Sequence, residues 1–188
     1  MVNIKKIEDE DLLHQLSGAF KDYGYEGTSI TILSKVTGLK RPSLYHRFPR
    51  GKEQMAEEVL SFIYTWIEEN ILNKLKENLT PEEKINFFVH QIGKIYENGK
   101  NSCILNMLSA TKCENNPFSE AINNTFKTLQ VALSDIAVQA GNDRKEAQNR
   151  AENILVEIQG ALVLSRAMNS TAPFKRMQKR LPDILLSR

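Results

Sequence analysis

Apolar residues recur at spacings of three and four along nearly the whole chain, and the strict alternation that builds strands is almost absent. Such a sequence buries its apolar surface through helical faces, so an all-α fold of about nine helices follows. Leu12, Leu13, Leu16, Ala19 and Phe20 predict a first helix from about Glu8 to Asp22, with an acidic start that suits the positive end of the helix dipole. Gly24 and Gly27 break it, and Thr28 or Ser29 caps a second helix that reaches about Val36. After Thr37-Gly38-Leu39 a very short third helix runs from about Arg41 to Arg47, with Pro42 tolerated in its first turn. A long helix from Lys52 to about Asn78 carries Met55, Val59, Phe62, Ile63, Trp66 and Ile67 on one broad face. Thr80-Pro81 starts the next, which ends near Glu97. Further helices are expected at about Cys103 to Lys112, Phe118 to Ala140 and Arg144 to Met168, with a last one after Pro173.

The 188 residues allow one domain, or a small domain continuous with a larger one, and the periodicity places the division at Lys52: residues 1–51, then 52–188. Hydrophobic residues at 41% and charged residues at 26% exclude a collagenous or wholly disordered chain. No run approaches the roughly 18 apolar residues of a membrane span, and the N-terminus lacks the basic and apolar regions of a secretory signal, so a cytoplasmic protein without membrane contact is expected. Cys103 and Cys113 are too few for a disulfide scaffold, and ten positions along one helix would separate them by roughly 15 Å. They read as reduced thiols.

The net charge of +2 conceals a gradient. Residues 1–52 carry nine basic and six acidic residues, residues 53–170 eleven and sixteen, and residues 171–188 five and one. From Lys35 to Lys52 the chain holds Lys35, Lys40, Arg41, Arg47, Arg50 and Lys52 with no acidic residue. Three short helices, the last two joined by a glycine turn, form the pattern of a helix-turn-helix. Ile32, Leu33 and Val36 can pack with Leu39, Leu44 and Phe48 and with Leu16 and Phe20, which leaves Lys40, Arg41, Ser43, Tyr45, His46 and Arg47 facing outward. A helix of that size enters a major groove about 12 Å wide.

Gly24-Tyr25-Glu26-Gly27-Thr28-Ser29-Ile30, Thr37-Gly38-Leu39, Ser43-Leu44-Tyr45-His46-Arg47-Phe48 and Lys52-Glu53 together resemble the DNA-binding domain of TetR/AcrR-family transcriptional repressors. The resemblance covers about Leu12 to Leu60, and the long Phe48-Pro49-Arg50-Gly51-Lys52 link is similar to that of the LmrA/YxaF-like subset. It implies that Arg41, Pro42 and Tyr45 approach bases and that Thr28, Ser43, Tyr45, His46 and Lys52 hold phosphates, with Lys40 beside them. Arg41 can fork onto guanine O6 and N7, and Lys52 at a helix start would add to the dipole's attraction for phosphate.

The same resemblance implies a homodimer formed by the last two helices, whose stripe Ile154, Ile158, Ala161, Leu162 and Ser165 includes small residues. It further implies a small-molecule inducer, for which Phe62, Trp66, Phe88, Met107 and Phe126 suit an apolar pocket as well as they suit ordinary core packing. The lack of concentrated buried-looking charge favours an apolar or aromatic molecule. The expected activity is ligand-released repression at a palindromic DNA operator. An activator or a helical interaction protein on the same scaffold is the alternative. The scattered His14, His46 and His90 and the lack of His-Glu-x-x-His, Cys-x-x-Cys or phosphate-loop patterns lead to no expectation of enzyme activity, metal or cofactor.

Overall fold

The computed structural model describes residues 9–110 and 116–186, and among them it forms nine helices and no strand. They are α1 (Asp9–Gly27), α2 (Ile30–Thr37), α3 (Arg41–Arg47), α4 (Lys52–Ile67), α5 (Pro81–Ile95), α6 (Ile104–Ser109), α7 (Ser119–Gln139), α8 (Arg144–Ala167) and α9 (Ala172–Leu186). The long α4 continues through a π-helical turn, Glu68–Leu72, into Asn73–Leu75. None of the described helices is long and apolar enough to cross a membrane.

Local chemistry sets most of these ends. α1 loses helical backbone at Gly24 (φ 67°). Ser29 accepts a hydrogen bond from the Ile32 N–H at the start of α2, and Gly38 (φ 67°) closes it in the left-handed conformation that costs glycine least. Thr80 and Glu83 complete a reciprocal capping box at α5: the Thr80 hydroxyl accepts from the Glu83 N–H at 3.2 Å, and the Glu83 carboxylate accepts from the Thr80 N–H at 2.8 Å. The Thr80 N–H, and with it the Thr80 hydroxyl 3.0 Å away, hold the Glu83 carboxyl below its ordinary pKa.

The chain divides into two compact units. The first comprises Met1–Ile63 with Ile104–Ser119, and the second Tyr64–Cys103 with Glu120–Arg188. The boundary between Ile63 and Tyr64 lies inside α4, where the expected division stood at its first residue, Lys52, and α6 joins the first unit because Ile104, Leu105 and Leu108 are buried where it packs on α1. In the first unit Leu12, Leu16, Phe20, Leu33, Leu44, Phe48, Met55 and Val59 form the core. Each such side chain contributes about 1.5–3 kcal/mol by leaving water.

The second unit is built around α8 and α9. Ala147, Ala151, Ile154, Ile158, Ala161, Leu162 and Ser165 of α8 are buried, as are Phe174, Met177, Leu181 and Leu185 of α9. The small-residue stripe of α8 is thus buried inside the protomer, against its own C-terminal helix. Cys103 is a buried free thiol, while Cys113 lies outside the described residues.

Candidate nucleic-acid interface

The turn between α2 and α3 is fixed by its own hydroxyls. Ser34 Oγ donates to the Leu39 carbonyl at 2.6 Å, and Thr37 Oγ1 donates to the Leu33 carbonyl at 2.7 Å while accepting from the Leu39 N–H at 3.3 Å. With the backbone so held, fully buried Leu44 and Phe48 anchor α3 in the core. Lys40, Arg41, Pro42, Ser43, Tyr45 and His46 are all exposed, as the sequence pattern requires of a reading face. Tyr45 is 48% exposed despite its bulk.

Arg41 is held by the neighbouring helix. Its guanidinium donates to the hydroxyl of exposed Thr31 on α2 at 2.6 Å. Sequence reasoning passed over Thr31, since a lone threonine ten positions from an arginine gives no periodic signal.

Thr28 is corrected. Its side chain is 0% exposed, and its hydroxyl donates to the carbonyls of Gly24 and Ala19, bracing the break in α1. A hydroxyl so enclosed holds no phosphate. Lys52 is also engaged internally: its ammonium donates to the Tyr25 carbonyl at 2.8 Å and lies 4.1 Å from the centre of the Tyr25 ring. Tyr25 in turn meets the Phe118 ring edge-on at 4.9 Å. The ammonium thus ties the start of α4 to the end of α1.

Two arginines of the basic run have acidic partners outside it. Arg47 pairs with Asp9 at 2.9 Å, and Arg50 pairs with Glu57 and lies 3.7 Å from Glu53. The carboxylates raise the Arg50 pKa further above its ordinary value, Glu57 contributing most. The positive face that remains accessible centres on Lys35, Lys40 and Arg41.

The expected ligand contacts occupy several surroundings. Phe62 is half-buried with its ring 4.8 Å from that of His14, and half-buried Met107 lies against Gly24, both in the first unit. In the second unit Phe88 is buried, Trp66 is half-buried, and Phe126 lines a groove of about 810 Å³ between α7 and α8. Among the described residues no three His, Cys, Asp or Glu side chains form a metal-binding group.

Comparison with known proteins agrees with this geometry. The TetR family of bacterial regulatory proteins matches residues 12–59, and the C-terminal domain of LmrA/YxaF-like transcriptional regulators matches residues 81–180. The HTH-type transcriptional regulator YxaF of Bacillus subtilis (strain 168) is 26% identical over 179 residues, 94% of each chain. LmrA of the same organism is 24% identical over 179 residues, covering 94% of this chain and 95% of that protein. The fold is shared with a TetR regulator from Legionella pneumophila, with a TM-score of 0.84 at 19% identity over 97% of this chain and all of that one. With its helix-turn-helix in the first unit and its C-terminal half matched by one domain model, the chain belongs to the TetR family of DNA-binding transcriptional regulators.

Proposed function

We propose that the protein is a repressor that reads a palindromic operator as a homodimer and leaves it when a small apolar or aromatic molecule binds. The observation that carries the reading is the exposed, acid-free face of α3, with Arg41 held by Thr31. Arg41, Pro42 and Tyr45 approach base edges, and Lys40, Ser43 and His46 approach the backbone. One seven-residue helix offers few base contacts, whereas two on a twofold axis read half-sites one turn of DNA apart.

The support for a dimer lies on α7 and α8. Val156 is 62% exposed, and Val131, Val163, Leu164 and Met168 are exposed with it, around the groove lined by Phe126, Leu155 and Gly160. Exposed apolar surface of this kind marks an interface. The proposed pairing therefore uses α8 with α7, and not α9, whose apolar residues are buried and whose Lys175, Arg176, Lys179 and Arg180 are exposed.

Inducer release is a shift of population: a ligand that prefers a conformer with mis-spaced reading helices lowers operator affinity roughly 5- to 150-fold for a coupling of about 1–3 kcal/mol. The cytoplasm is the proposed location. Fluorescence anisotropy with DNA from the gene's own upstream region, against scrambled DNA at two salt concentrations, tests the reading. Specific binding that weakens with salt is the expected result. Equal affinity for both DNAs at both salts would overturn operator recognition at that region.

A further inference from the structure

The second unit holds a polar cleft unrelated to its apolar groove. After α5 the chain turns through Glu97, Asn98 and Gly99, all with positive φ (45°, 55° and 96°). This turn, the end of α5 and the start of α9 enclose two adjoining hollows of about 450 and 350 Å³ that share Gly93, Lys94 and Asn98. Gly93 is buried at the waist. A Cβ there would lie 2.7 Å from Gln178 Nε2 and 3.3 Å from Asn98 Oδ1, so glycine leaves room for both side-chain amides at the floor.

Lys94, Lys100 and Lys175 line the larger hollow with Thr171, against the single carboxylate of Glu97. None of the three lysines has an ion pair among the described residues. In the same unit Arg144 pairs with Asp135 at 2.7 Å, Arg150 with Glu146 at 2.8 Å and Arg180 with Glu157 at 2.6 Å, while Lys76, Lys127, Lys145, Arg176 and Lys179 have no ion pair among the described residues. Three exposed lysines on one concavity concentrate positive charge there, which attracts an anion. The smaller hollow offers Asn86, His90 and Gln178, groups that hydrogen-bond a polar, uncharged body.

We propose that this cleft binds a small phosphorylated molecule, the phosphate at Lys94, Lys100 and Lys175 and the polar body toward Asn86 and Gln178. Lysine serves a phosphate as a mobile point charge, and the combined hollows have the size of an ordinary small-ligand site. The site would give the regulator a second, anionic signal besides an apolar one.

The test uses no DNA and so stands apart from operator recognition. The full chain is titrated with sodium pyrophosphate by calorimetry at constant ionic strength, with citrate as the carboxylate comparison. Saturable binding is expected, at least about tenfold weaker in Lys94→Gln/Lys175→Gln and unchanged in Arg176→Gln/Lys179→Gln, because two charge-assisted bonds are lost only in the first. In the unaltered protein pyrophosphate should also slow acetylation of Lys94, Lys100 and Lys175 relative to exposed Lys179, read by mass spectrometry. No saturable heat, equal weakening of both double variants, equal binding of citrate, or uniform protection of all four lysines would each overturn the proposal.

Discussion

Thr28 and Lys52 have the side-chain chemistry of phosphate ligands, and both direct it into the protein. Sequence gives the functional group at a position but not the direction in which it points, which depends on the backbone break at Gly24 and the register of α4. Thr28→Val removes a donor and leaves the Gly24 carbonyl short of a partner in a buried place. It should lower unfolding free energy by about 1–3 kcal/mol in a urea titration, with little change in operator affinity of the folded protein. Lys52→Met keeps the stem and removes the charge; it should cost about 1–2 kcal/mol of stability and leave the salt dependence of DNA binding unchanged. A flatter salt dependence would show Lys52 on a phosphate. Arg41→Ala or Tyr45→Ala, by contrast, should weaken operator binding by about 1–3 kcal/mol per half-site at unchanged stability, read by anisotropy and by thermal unfolding.

At the scale of elements, the helix order was legible because caps and breakers act locally. Ser29, Gly38 and the Thr80-Pro81 start do in the structure what their residue types predict. The partner of each apolar face was not legible. Ile154, Ile158 and Leu162 make the same periodic stripe whether they meet a second chain or α9, and only the fold shows that α9 takes them. The capping box offers an element-scale test. Thr80→Ala should cost about 1 kcal/mol. Because the folded Glu83 carboxyl is held below its ordinary pKa, its contribution is present above the unfolded-state value and is lost as pH falls through the folded one. The stability gap between the parent and Glu83→Gln, followed by thermal unfolding, should therefore close on acidification.

For the whole molecule, the exposed apolar face of α7 and α8 is the surface on which the proposed twofold reading depends. Val156→Glu/Val163→Glu places carboxylates where desolvation would be required. Sedimentation should then report a monomer with native helicity, and operator affinity should fall with it. A variant that remains dimeric would move the interface elsewhere. The family was legible from the first quarter of the chain because groove-reading constrains residue types there, whereas residues beyond it need only fill space.

The π-helical turn Glu68–Leu72 absorbs one surplus residue within α4. Ile67 before it, Ile71 and Leu72 within it and Leu75 after it are buried, so the helix keeps one inward face across the turn. Deleting exposed Glu69 or Asn70 would convert the turn to plain α-helix with that face still inward. Deleting one residue between Glu57 and Phe62 would instead swing everything beyond it by about 100° around the helix axis. Length variation in α4 is thus confined by geometry to this single turn, and chains one residue shorter there would carry a straight helix and the same fold.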